Sequence, residues 1–275
     1  MVELSIIIPT IKPASEIDCL RYLETQDFDD YEVVIRSDPG ASKARNEAIK
    51  RANAEKLVFL DDDSMPRPGY LQAVSDALDE HDVVAGRVFQ PDDAVITYKQ
   101  LPWYDQGDEG KHTDLIVGCN MAMRKSVLDA VGGFNETFFH GHEETELGRR
   151  ISEQFDIWYE PSMVVEHYYA FSVRQYWEKS YRHGKADADW WVVDDVPLST
   201  RLRKCLPTDV LRRQPIETVA MLVLTFGRVR RLTAQLLGLV DIPEQRHPSD
   251  HSTPSASASL RDSSEGISPL SSGRD

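Results

Sequence analysis

Two periods of apolar residues organise the chain. Leu4 to Pro9 (LSIIIP) is a continuous β-branched run ended by proline, the pattern of a strand covered on both faces. From Ser15 to Gln26 the period lengthens, with Ile17, Leu20 and Leu23 at helical spacing, and Tyr31 to Ile35 (YEVVI) returns to a strand. Pro39 and Gly40 mark a turn before Ala41 to Ala54, which is rich in helix formers. Lys56 to Leu60 is the third strand, and it runs straight into Asp61, Asp62 and Asp63. Strand–helix alternation predicts an α/β fold, a right-handed, parallel, three-layer sheet whose ligands bind beyond the carboxyl ends of the strands. Pro9 and Thr10, Arg36 to Asp38 and the triple aspartate should meet on that rim.

Further along, Pro68 to Leu78 reads as a helix and Asp82 to Phe89 as a strand. Gln90 to His112 is irregular, and Trp103 and Tyr104 sit among its prolines, glycines and acids. A loop this long in a compact domain is functional or disordered. Thr113 to Met123 is expected as a strand, and Arg124 to Val131 as a short helix ended by Gly132 and Gly133. Phe134 to His142 reads as a loop carrying Phe138, Phe139, His140 and His142. Glu143, Glu144 and Glu146 open a helix to Gln154, where the plain reading of the acids is capping. Ile157 to Val165 is a strand ending at Glu166 and His167, and Val173 to Asp189 a helix with Arg174, Lys179, Arg182, His183 and Lys185.

Charge and cysteine content narrow the classes. The 275 residues hold 46 acidic and 31 basic side chains, a net charge of −15, which excludes general nucleic-acid binding and fits a heavily hydrated surface, including one suited to high salt. Cys19, Cys119 and Cys205 are isolated and odd in number, against a disulfide framework or zinc cluster. With no signal-like segment after Met1, an intracellular site is expected. Three adjacent carboxylates repel one another unless a cation or donors compensate, so Asp61 to Asp63 read either as a metal or phosphate site or as strand-end punctuation.

Several pieces, in order, resemble family 2 glycosyltransferases of the GT-A fold: SIIIPT from Ser5, GASKARNEAIKRA from Gly40, LVFLDDD from Leu57, GCNMAMRKSVLDAVGGFNE from Gly118, HEETELGRRI from His142 and YRHG from Tyr181. The resemblance implies a Rossmann-like nucleotide-diphospho-sugar transferase that moves a single hexose or hexuronic acid, with inversion, from a nucleotide diphosphate to an acceptor hydroxyl. It implies Asp63, Asp61 and His167 as ligands of a divalent cation, Mn²⁺ or Mg²⁺, and Glu144 as the base that accepts the acceptor proton. It further places Pro9, Thr10, Asp38, Arg45, Asn46, Asp61, Asp62 and Arg182 on the donor, and Trp103, Gly118, Asn120 and Glu143 on the acceptor side. Lys185 is an alternative to Arg182 for the diphosphate. Two departures stand out. Arg36-Ser-Asp-Pro replaces the acidic and Gly-Ser residues usual after the second strand, leaving UDP-sugar as default donor and GDP-sugar as alternative. Glu144 stands where Asp is commoner, lengthening the reach of the base.

Beyond Pro197 the character changes. Arg201 to Arg231 contains eight basic residues against Asp209 and Glu217, and Ile216 to Val240 repeats apolar residues at helical spacing. Such a helix can lie on an anionic membrane surface or close the catalytic core. The expected organisation is a GT-A domain over 1–195, a basic helical extension over 196–242 and a Ser-rich disordered tail over 243–275. A membrane-touching extension would bring a dolichyl- or polyprenyl-phosphate-linked glycan as acceptor at the cytoplasmic face, similar to haloarchaeal enzymes of surface-protein N-glycan assembly. The competing reading is a catalytically silent sugar-nucleotide-binding or scaffold protein.

Overall fold

The computed structural model describes residues 2–94, 103–138, 141–207 and 215–243. Pro102, Phe139, His140, Asp209, Arg212, Arg213 and the Ser-rich tail from 244 onward lie outside the described residues. Three parallel strands form first: β1 (Leu4–Pro9) lies between β2 (Tyr31–Arg36) and β3 (Lys56–Phe59). They belong to an eight-stranded sheet completed by β4 (Met65–Pro66), β5 (Val83–Phe89), β6 (Lys111–Thr113), β7 (Met121–Arg124) and β8 (Ile157–Glu166). Its order is β2-β1-β3-β7-β5-β8-β4, with β6 paired to β8.

The expectation of an all-parallel sheet fails at β7, which runs antiparallel to both β3 and β5. The single strand expected from Thr113 to Met123 is divided into β6 and β7 by a loop over 114–120. Asn120 fixes that loop. Its buried amide donates to the carbonyls of Arg87 and Met163, at 2.9 Å each, and accepts from the Tyr70 hydroxyl at 2.9 Å. Burial of so many polar groups is tolerated because each is hydrogen-bonded. β8 carries a register shift opposite Gly86 and Arg87, beside Pro161, which has no N–H to give the ladder.

Side-chain alternation sends the strand residues to two cores. Ile7, Leu57, Phe59, Met121 and Met123 pack against α2 (Ala41–Ile49), α4 (Lys125–Val131) and α5 (Glu143–Ser152). Ile6, Ile8, Val58, Leu60 and Ala122 pack on the other face against α1 (Asp18–Leu23) and α3 (Tyr70–Glu80). Helix, sheet, helix is the three-layer arrangement the alternation predicts. Gly132, in the left-handed conformation at φ 90°, ends α4.

The C-terminal part is helical: α6 (Val173–Val193), α7 (Leu198–Lys204) and α8 (Pro215–Leu236). α8 lies along α6, with Gly184 and Gly227 at the crossing. A Cβ on Gly184 would collide with the Leu224 carbonyl, and one on Gly227 with that of Tyr181. Among the described residues no helix is long and apolar enough to cross a membrane.

Candidate active site

The rim predicted from strand ends assembles. β3 delivers Asp61 to Asp63 into a turn closed by Ser64, whose hydroxyl accepts from the Asp61 N–H and donates to the Cys119 carbonyl, both at 3.1 Å. β8 delivers His167, which is 5% exposed and anchored by its N–H to the Phe89 carbonyl at 2.8 Å. His167 Nε2 lies 3.1 Å from Asp63 Oδ1 and 3.9 Å from Asp61 Oδ2. Burial pushes the Asp63 carboxyl up, but the His167 hydrogen bond and charge outweigh it and hold it below its ordinary value. The three residues whose ligating atoms lie within 4.8 Å of one another are Asp61, Cys119 and His167, with Asp63 reaching the group through His167. Burial and the aspartates raise the Cys119 thiol well above the usual range, so it keeps its proton.

Arg45 ties this cluster to the base side. It is 3% exposed, pairs with Asp61 at 3.2 Å and Glu143 at 3.1 Å, and reaches the Gly118 carbonyl. A side chain on Gly118 would crowd that guanidinium, which explains glycine there. Glu143 therefore serves Arg45, with its second oxygen buried and unpartnered. Glu144, the next residue in the first turn of α5, is half-buried. Burial and the Glu143 charge push its carboxyl up to about 7. A carboxylate so poised matches the requirement of a general base near neutral pH.

The other expected residues have these partners. Asp62 faces back to the end of β1, held by the Thr10 hydroxyl and by Lys12 at 2.8 Å. Pro9 ends β1 beside them. Asp38 pairs with Arg36 at 2.7 Å. Asn46 binds the backbone of Phe134 through both ends of its amide, and Glu136 besides, so it braces the loop after α4. Asn120 is the buried brace of the 114–120 loop described above. Trp103 is 47% exposed, edge-on to the buried Tyr104. Arg182 is exposed on α6, lining a surface hollow with Trp177, Glu178, Tyr181 and Val223.

Lys179, three residues before Arg182 on α6, packs against Tyr169. Its ammonium donates to the Tyr169 carbonyl at 3.0 Å and lies 4.2 Å from the centroid of that ring. Burial lowers its pKa, while Asp61, Cys119 and Asp63 pull it back, which places it in the field of the carboxylate cluster. Tyr176, Lys179, His183 and Asp187 share one face of α6 by spacing, and that stripe was the signal available in the sequence.

Two comparisons agree with this architecture. Residues 15–132 match the family model for Glycosyl transferase family 2. TarS residues 1–349 of S. aureus superpose with a TM-score of 0.52 at 15% identity, over 86% of this chain and 92% of that one. A second TarS structure from S. aureus gives 0.50 at 15% identity, over 84% of this chain and 54% of that one. At this identity the likeness concerns the fold. No curated protein sequence matches the chain. Residues 15–132 thus match the glycosyl transferase family 2 model, and the sheet and helices that carry them form a GT-A-type fold.

Proposed function

We propose that the protein is an inverting glycosyltransferase that moves one hexose or hexuronic acid from a nucleoside diphosphate to an acceptor hydroxyl. The observation that carries this reading is a bridge at the rim: the buried Arg45 pairs with both Asp61 of the β3 turn and Glu143 of α5, which ties the aspartate–histidine cluster to the helix turn that carries Glu144. In the reaction, an acceptor hydroxyl oxygen attacks the anomeric carbon while the sugar–phosphate C–O bond breaks on the opposite side. Glu144 takes the hydroxyl proton, and the bonding electrons leave on the nucleoside diphosphate. Lys179, whose ammonium feels the charge of Asp61 and Asp63, is the cation we assign to offset that developing charge.

Asp61, Asp63 and His167 present carboxylates and an imidazole, a donor set that fits a divalent cation and favours Mn²⁺ over the oxygen-preferring Mg²⁺. A cation there would act as a Lewis acid on the diphosphate. UDP-sugar is the first donor to test and GDP-sugar the second. For the acceptor we favour a glycan carried on a polyprenyl or dolichyl phosphate, presented at a membrane surface on which the exposed Leu222, Phe226, Val229 and Leu236 of α8 rest.

The deciding experiment measures thermal stabilisation and turnover with UDP- and GDP-sugars, with Mn²⁺, Mg²⁺ or chelator, for wild type, Asp63→Ala and Glu144→Gln. Ligand bound only by the native state raises its apparent stability. Stabilisation lost in Asp63→Ala, together with binding kept but turnover lost in Glu144→Gln, supports the reading. Donor binding without turnover in the wild type, across a panel of hydroxyl and lipid-linked acceptors, favours the catalytically silent alternative. Flotation with anionic vesicles, lost on Phe226→Ser, tests the membrane surface separately.

A further inference from the structure

His142 is a non-glycine residue in the left-handed region, at φ 66°, immediately before α5. A β-carbon is disfavoured there, so other contacts must hold the residue. Four do so. Its Nε2 lies 2.8 Å from Asp187 Oδ1 of α6, its Nδ1 lies 3.5 Å from the Thr145 hydroxyl, its ring stacks on Trp190 at 6.0 Å, and its carbonyl accepts from the Glu146 N–H at 2.9 Å. Asp187 in turn accepts from Arg228 of α8 at 2.7 Å. Arg228 is fixed at its other end, where it donates to the Lys204 carbonyl at 3.1 Å and its guanidinium lies 5.3 Å from the Trp191 ring centroid. The Gly184–Gly227 crossing keeps the two helices close enough for the pair. The chain of contacts therefore runs unbroken from α8 to the residue two positions before Glu144.

We propose that Arg228, Asp187 and His142 form a positioning relay through which the C-terminal helix holds an imidazolium over the first turn of α5 and keeps Glu144 ready to accept a proton. The role assigned to Glu144 rests on the glycosyltransferase reading; the relay itself does not. A cation at a helix N-terminus opposes the helix dipole, so the imidazolium needs a carboxylate of its own. Asp187 is that carboxylate, and Arg228 keeps it ionised. Burial works against the His142 charge, but the Asp187 hydrogen bond and charge, then Glu144 and Glu143, raise its pKa overall. Asp187 is driven the other way: burial raises it, while His142 and Arg228 bring it below its ordinary value. Among the described residues, the remaining charged or titratable groups around the imidazole are few. Arg149 of α5 lies over Trp190 at 5.6 Å, and His183 of α6 lies beside Gly141. Glu144 itself faces Glu143, Arg45 and His142, and of these Arg45 and His142 favour its ionised form.

The test is a pH titration of histidine ring nitrogens by long-range ¹H–¹⁵N NMR on the full chain, with His142→Gln assigning the signal. Carbon-13 labelling of glutamate carboxyls follows Glu144, assigned by Glu144→Gln. The relay predicts that His142 titrates above the ordinary value of 6.5 and that Asp187→Asn lowers its midpoint by about one pH unit or more. In His142→Gln the Glu144 carboxyl midpoint should rise, and with an active donor the acidic limb of the kcat profile should move to higher pH with it. Arg228→Gln should reduce kcat about tenfold at unchanged donor KM, with partial rescue by Arg228→Lys. An unchanged His142 midpoint in folded Asp187→Asn, or an unmoved Glu144 in His142→Gln, overturns the relay; wild-type kcat in Arg228→Gln removes α8 from it. If no donor turns over in the wild type, the enzyme reading fails, while the two NMR titrations still decide the relay.

Discussion

In the proposed reaction Glu144 takes the acceptor proton, and its environment gives its ionisation a direction. Burial and Glu143 raise its carboxyl to about 7, so the proton-accepting form grows as pH rises through that value. Turnover should accordingly rise across neutral pH, and the acidic limb should move down when the Glu143 charge is removed in Glu143→Gln. That variant leaves Arg45 with one fewer anion, so donor KM is the accompanying readout. Lys179 offers a second residue-scale prediction. Lys179→Met keeps the stem and removes the charge, and kcat should fall about 10²-fold or more if the ammonium stabilises the leaving diphosphate. Burst kinetics or product-release measurements distinguish this from slower release.

At the scale of elements, a buried pair within α5 ties that helix to the turn after α4, and the sequence does not advertise it. Arg150 and Glu146 are 1% and 0% exposed and meet at 2.6 Å; Arg150 also donates to the carbonyls of Val131 and Gly133, closing the turn after α4. Truncating one partner strands a buried charge, so Arg150→Ala should destabilise the protein by about 3–5 kcal/mol, read from denaturant unfolding. The crossing of α6 and α8 gives a second test. Gly184→Ala inserts a methyl group where backbone already stands, and overpacking of this kind typically removes about 1–3 kcal/mol. Because α6 carries Lys179 and Asp187, the same variant should weaken turnover beyond its effect on stability.

For the molecule as a whole, pH acts through groups whose shifts point in known directions. Glu144 has a raised pKa, so the folded state holds a proton that the unfolded state releases above its ordinary 4.5, and stability declines as pH rises from there towards about 7. His142 is also raised: its ion pair stabilises fully below 6.5 and is lost as pH rises through the folded value. Asp187 is lowered, so its contribution is present above 3.8 and lost as pH falls through its depressed value. The melting temperature should therefore fall between about pH 5 and pH 8, with a smaller fall in Glu144→Gln than in the wild type. Net charge of −15 adds self-repulsion in the same direction, and added salt should reduce that part alone.

The sequence determined the layers and the rim. Continuous β-branched runs and helical periods are local signals, and they sufficed for β1 to β3, the helices between them and the delivery of Asp61, Asp63 and His167 to strand ends. Local signals do not report strand direction, which is why β7 was unreadable as antiparallel and why 113–123 looked like one strand: its middle is organised by Asn120, whose partners Tyr70, Arg87 and Met163 lie 33 to 50 residues away. Only the tertiary structure decided which charges meet. It turned Asp62 to Thr10 and Lys12, gave Asn46 to the Phe134 loop, and set Lys179 on Tyr169. The basic character of α8, a surface property when counted along the chain, is largely spent on α6, with Arg228 on Asp187 and Arg231 on Asp189. Composition fixes how many charges a segment carries; pairing depends on the side chains that packing brings opposite, and that information is spread over the whole fold.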